Sequence, residues 1–199
     1  GADRGWIDNV QFVFGSNLKQ TLFSDGFNSN QGLSQWTTEV LVDTMGEAPQ
    51  LDVIGTSTNP AGFNPVEGDG FLRFNSFTSE AGDSVRLKTI QPIQTIGFEY
   101  LNLSLSWSRD NGVFLPQGEF QSVTLDTLDS VQMQWSTDGI NWTNFGDPYY
   151  RYRFNGSNEW LEYQLKLPDE SSTQNIYIAL LFLSDYGYDC HLDNLAITG

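Results

Sequence analysis

Cys190 and His191 stand side by side near the C-terminus, and the chain has no other cysteine and no other histidine. Nucleophilic catalysis needs a thiol and a base that face each other. Consecutive residues of a strand point to opposite faces, so this pair is not arranged for it, and a buried structural cysteine is the expectation. One histidine and one cysteine exclude the His-x-x-x-His and thiolate sites that hold zinc, and they exclude a disulfide within the chain. No phosphate loop or dinucleotide fingerprint occurs. Glycoside hydrolysis asks only for two carboxylates at the right separation, which 25 acidic residues do not exclude. No other catalytic set assembles, and the sequence reads as that of a protein that is not an enzyme.

The chemistry this composition does support is that of hard cations, which take six to eight oxygens from carboxylates, amides and backbone carbonyls in irregular loops. Asp25 and Asn28 lie in a Gly-containing loop, Asp69 in "EGDG", and Asp193 and Asn194 in the phrase "LDN", which opens the final strand. These five are candidate calcium ligands. The competing reading makes Asp193 and Asn194 a strand cap, bonded through their side chains to nearby backbone. The formal net charge of −16, from 25 acidic and nine basic residues, argues against nucleic acid and against anionic membranes. No apolar stretch approaches the length of a membrane span.

A second candidate site is "FGDPYYRYRFNGSNEW". Tyr149, Tyr150, Arg151, Tyr152 and Arg153 concentrate aromatic and basic character within five residues of an acidic chain. Tyrosine faces stack on sugars or on protein surfaces, and arginine pairs with carboxylates. The alternative is a strand whose alternate tyrosines are core and whose arginines offset neighbouring acids.

The elements that must position these groups are strands. "LNLSLSWS" sets Leu101, Leu103, Leu105 and Trp107 against Asn102, Ser104 and Ser106; "SVRLKTI", "VQMQWS" and "WLEYQLKL" alternate in the same way. "NIYIALLFL" is nearly continuously apolar and reads as a central strand covered on both faces. In "STDGINW", Asp138-Gly139 suits a tight hairpin turn, and Trp142 is expected in the core. Many such runs without helical crossovers predict an all-β fold, an antiparallel β-sandwich.

The ordered set "DGFNS", "GDGFLRFNS", "LSLSWS", "VQMQWSTDGINWTNFG", "WLEYQLKLP", "IYIALLFLS" and "CHLDNLAITG" resembles the extracellular jelly-roll superfamily of MAM, cleaved-adhesin and choice-of-anchor J domains, with carbohydrate-binding modules similar too. The resemblance covers roughly residues 20–199, departing where Asn28 stands in place of a usual Glu. It implies first and last strands side by side, with a structural calcium ion held between the Asp25–Asn28 and Asp193–Asn194 loops and with Asp69 joining if its turn falls at the same end. "DYGYD", residues 185–189, is expected beside those loops. The phrase "DNV" near the N-terminus echoes "DNL" near the C-terminus. Residues 1–15 are therefore read as an extra N-terminal strand, either the tail of a preceding repeat or a first strand of this domain, with residues 16–199 as the jelly roll. The function implied is a non-catalytic extracellular adhesion or ligand-binding module, calcium-stabilised, partnered by a glycan or a cell-surface protein and flanked by further domains of a larger bacterial protein. The alternatives are a carbohydrate-binding or jelly-roll part of a polysaccharide-active enzyme, and a structural spacer in a repeat array.

Overall fold

A computed structural model describes residues 19–46, 48–111, 129–153, 157–185 and 187–199. The expected strand at residues 1–15 lies outside them. Twelve strands appear: β1 (Thr21–Asp25), β2 (Trp36–Val42), β3 (Leu51–Ile54), β4 (Phe71–Phe74), β5 (Ser84–Thr89), β6 (Asn102–Arg109), β7 (Ser130–Ser136), β8 (Thr143–Asn144), β9 (Tyr149–Tyr150), β10 (Glu159–Lys166), β11 (Tyr177–Leu183) and β12 (Cys190–Thr198). Two 3-10 turns, Ser76–Thr78 and Asp169–Ser172, are the only helical segments among the described residues. No helix there is long and apolar enough to cross a membrane.

The strands form two antiparallel sheets, as the alternation implied. The first runs β10-β6-β12-β4-β3, with β1 also on β12; the second runs β2-β5-β11-β7-β8, with β9 also on β7. Leu103, Leu105 and Trp107 of β6 face Val131 and Met133 of β7 and Ile178, Leu180 and Phe182 of β11. Each is at most 2 % exposed, so the period-two pattern has become the inter-sheet core. As expected, β11 is central, between β5 and β7.

Asp193 and Asn194 do not open the last strand, which already begins at Cys190. They sit at its break. Cys190 to Leu192 pair with β4, and Leu195 to Thr198 pair with β1. Between them Asn194 takes a φ of +50°, and the register with β6 slips between Asp193 and Ala196. A short polar side chain tolerates this left-handed conformation, so the residue makes a bulge and re-aims its neighbours. Trp142 is also placed differently. It is half-buried on the outer face of the second sheet, with the Arg86 guanidinium 5.3 Å from its ring centroid. The turn before it is wider than the tight hairpin expected: residues 137–142 separate β7 from β8, Gly139 alone of the Asp138-Gly139 pair is left-handed with a φ of +70°, and Asp138 accepts N–H bonds from Ile140 and Asn141.

Candidate functional site

Four of the five candidate calcium ligands meet around the turn that leads into β4. Asn28 Oδ1 accepts the Asp69 N–H at 3.1 Å, while the Asp69 carboxylate accepts the Ser29 N–H at 2.8 Å and its hydroxyl at 2.5 Å. Those Ser29 bonds hold the Asp69 carboxyl below its ordinary pKa. Asp193 is fully buried at the β12 bulge. Its Oδ2 accepts N–H bonds from Val66 (2.8 Å) and Glu67 (3.4 Å), and its Oδ1 accepts that of Asn194 (2.7 Å). Burial pushes its pKa up against the pull of these donors. A Cβ added to Gly26 would lie 3.4 Å from Asn28 Nδ2 and 3.9 Å from Asn194 Oδ1, so both amides lie beside that residue. Gly68 is required in turn: its φ is +70°, and a Cβ there would fall 1.8 Å from Asn28 Oδ1.

Asp25 is at the same end of the sheet but faces elsewhere. Its Oδ1 accepts the Phe27 N–H, supporting a φ of +47°, and its Oδ2 accepts the Trp36 indole N–H, both at 2.7 Å. Asp25 thus ties β1 of one sheet to β2 of the other. The remaining set, Asn28, Asp69, Asp193 and Asn194, has the hard-oxygen chemistry a calcium ion takes. Its carboxylate oxygens already accept N–H or O–H bonds, and among the described residues no three His, Cys, Asp or Glu side chains converge at metal-binding distance. A cation would share these oxygens with the amides that now bind them.

The aromatic loop is divided by burial. Tyr149 packs on Tyr163 with ring centroids 4.1 Å apart, and burial pushes its phenol up to about 12. Arg151 is 1 % exposed; its Nη1 lies 2.5 Å from Asp110 Oδ1 and its Nε 3.2 Å from Asp129 Oδ2, with Tyr188 beneath it. Tyr152 is half-buried and bridged to Asp110. Arg153 is exposed and paired with Glu159, and Tyr150 is 40 % exposed. The platform reading is therefore corrected for Tyr149 and Arg151, which face the interior because β9 pairs with β7 and carries them beneath the loop. The sequence alternative, core tyrosine and acid-offsetting arginine, describes them. Tyr188 and Asp189 of "DYGYD" also lie elsewhere, at the far end of β4 from Asp69: Tyr188 stacks on Phe77, and Asp189 accepts the Phe77 N–H.

Cys190 and His191 are both fully buried, and burial raises the thiol pKa well above its usual value. His191 sits against Phe63 and Phe71, with Nδ1 3.4 Å from Ser108 Oγ; burial, then the charges of Arg73 and Arg151, pull its pKa down to about 3. Under this cover the ring is held neutral and packs between the two phenylalanines.

One hollow is announced by no motif. A cleft of about 720 Å³ opens where β1 and the start of β2 meet the β5–β6 connection. Five amide-bearing residues line it, Gln20, Gln35, Gln91, Gln94 and Asn175, together with Phe23, Ile90, Ile93, Ile96 and Phe98; the Gln35 amide also donates to the Ser24 carbonyl and to Asp25 Oδ2. Among the described residues no charged one lines it, although the protein is strongly acidic. Its wall is pinned: Ile93 and Ile176 exchange backbone hydrogen bonds, Thr95 Oγ1 donates to the Gln174 carbonyl, and the Gly97 N–H donates to that of Ser172. The signal available in the sequence was "TIQPIQTIGF", an uncharged run of amides and apolar residues, residues 89–98.

No family model matches the chain, and no curated protein matches it. Solved structures do. The K3 cleaved adhesin domain of Lys-gingipain from Porphyromonas gingivalis W83 is 16% identical with a TM-score of 0.54, covering 90% of this chain and 98% of that one. The enzymatically active domain of tailspike protein 4 of bacteriophage CBA120 is 11% identical with a TM-score of 0.53, over 89% of this chain but 21% of the tailspike chain. The carbohydrate-binding module TmCBM61, solved in complex with β-1,4-galactotriose, is 13% identical with a TM-score of 0.50, over 87% and 97%. At these identities the likeness is one of fold, and the chain has the jelly-roll β-sandwich that its ordered motifs resembled.

Proposed function

We propose that this jelly roll is a non-catalytic glycan-binding module of a larger extracellular or cell-surface protein, with the amide cleft as its sugar site and a calcium ion as a structural brace. The cleft carries the reading. Sugar hydroxyls need paired donors and acceptors, which a primary amide supplies at once, and the sugar's apolar face needs rings and aliphatic surface. A pinned cleft with five amide residues, two phenylalanines and, among the described residues, no charge offers both. The solved complex of TmCBM61 with a galactotriose gives the fold a sugar-bound precedent. The calcium proposal rests on the meeting of Asn28, Asp69, Asp193 and Asn194; a bound ion would neutralise the buried Asp193 carboxylate there.

Affinity electrophoresis through gels containing soluble polysaccharides tests the cleft. Retardation by at least one neutral polysaccharide is expected, and Gln91→Ala with Gln94→Ala should relieve it. Two lost hydrogen bonds at about 0.5–1.5 kcal/mol each weaken binding roughly 5- to 150-fold. Retardation that persists in the double variant places the site outside the cleft.

A further inference from the structure

Three hollows share residues. Phe98, at the rim of the amide cleft, also lines a second hollow of about 370 Å³ with Lys19, Tyr100, Asn102 and Gln164. Lys19 and Gln164 in turn line a third of about 450 Å³, which lies over Ser104 and Ser106 between Glu162 and Asn194. Together they make one path from the cleft, around the Phe98 corner, onto the outer face of β6, β10 and β12.

Resting on the glycan-binding reading above, we infer that the ligand is the interior of an uncharged polysaccharide chain laid along this path, rather than a single sugar held in the cleft. The length supports a chain. From Asn102 to Ser106 the β6 shelf runs about 13 Å at the rise of a strand, room for a few pyranose rings beyond those in the cleft. Asn102 and Ser104 present small polar groups outward, because Leu103 and Leu105 alternate with them into the core, while Ser106 forms a buried floor at the far end, 2 % exposed. The corner carries rings: Tyr100 is 62 % exposed, and Phe98 packs close to Gly199, where an added Cβ would come 2.5 Å from its ring. Exposed rings on a fixed corner suit the apolar faces of sugars. The charge is wrong for a polyanion. Among the described residues Lys19 is the one cation lining the path and stands with Glu99 and Glu162, and the net charge of −16 repels uronates and sulfates at long range.

Calorimetric titration of the whole protein with galactan, xylan and mixed-linkage glucan, with their di- to hexasaccharides, and with polygalacturonate tests this. For a neutral polymer that binds, affinity should climb about tenfold or more from disaccharide to hexasaccharide. Gln164→Ala, an exposed change on the shelf that leaves the melting temperature in place, should weaken hexasaccharide binding about three- to tenfold and shrink the hexasaccharide-to-disaccharide ratio. Gln94→Ala should weaken both ligands. Affinity independent of chain length, or indifferent to Gln164→Ala, overturns the path while leaving a sugar-binding cleft. Preference for polygalacturonate overturns the uncharged ligand, and no binding by any neutral polymer overturns this inference and the reading beneath it.

Discussion

Arg151→Ala separates the two readings of the aromatic loop. The Arg151 guanidinium lies between the buried carboxylates of Asp110 and Asp129, and Asp129 also accepts the N–H of Asp185 and the hydroxyl of Ser76. Removing the guanidinium leaves two buried anions without that counter-charge, and breaking a buried ion pair from one side costs about 3–5 kcal/mol. In a chain of this size each kcal/mol moves the melting temperature by about 2–4 °C, so a loss of roughly 6–20 °C is expected. Arg151→Met, which keeps much of the stem volume, should lose nearly as much, because charge rather than packing is at stake. Gly187→Ala offers an independent route, since its methyl would fall 1.5 Å from Asp129 Oδ2. Adding Asp110→Asn and Asp129→Asn to Arg151→Met should recover part of the loss, because the uncompensated charge is then gone. The assay is a thermal melt followed by tryptophan fluorescence, with sugar titration well below the transition, where affinity should be that of the parent protein. A melting temperature within about 2 °C of the parent, together with lost sugar binding, would refute the argument and return Arg151 to the ligand platform.

Chelation should lower the melting temperature by roughly 5–11 °C if calcium is present at about a hundredfold its dissociation constant, worth about 2.7 kcal/mol. Asp193→Asn should abolish that sensitivity; a melt indifferent to chelator, with no metal by elemental analysis, leaves Asp193 as the hydrogen-bonding brace of Val66 and Glu67. Acid titration should show two opposed contributions. Burial raises Asp189 to about 6, so its stabilising term is full below about pH 4 and is lost as pH rises to about 6, whereas His191, lowered to about 3, stabilises above about pH 6.5 and loses that term as pH falls. Asp189→Asn should therefore steepen the loss of stability on acidification and His191→Phe should flatten it, both read from urea melts between pH 4 and 7; parallel curves for all three proteins would count against both assignments. Gly68→Ala should destabilise strongly and shift the hydrogen-exchange protection of the Asp69 amide, since its methyl would displace the Asn28 side chain that amide binds.

Period-two alternation by itself determined the sheets. Whether a strand residue faces core or solvent follows from its parity, and Leu103, Leu105 and Trp107 are buried where "LNLSLSWS" requires. The neighbourhood of Asn28, Asp69, Asp193 and Asn194 was legible through resemblance, because antiparallel pairing of β1 with β12 is a property of the topology. The aromatic loop was ambiguous, since alternation says which residues share a face but not which face is covered. β9 pairs with β7 across a loop, and that placed Arg151 between two acids distant in sequence and turned Tyr149 onto Tyr163. Trp142 went to the outer face because Arg86, on a strand beyond the central one, was there to cover its ring. The amide cleft had no local signature beyond an uncharged run. Gln20, Gln35, Gln94 and Asn175 come from four separate stretches of chain, and only the closure of the two sheets brings them to one hollow. Short-range steric and hydrogen-bonding rules write the strand pattern into neighbouring residues, whereas a cleft and a buried ion triad are made by long-range contacts whose partners no single segment specifies.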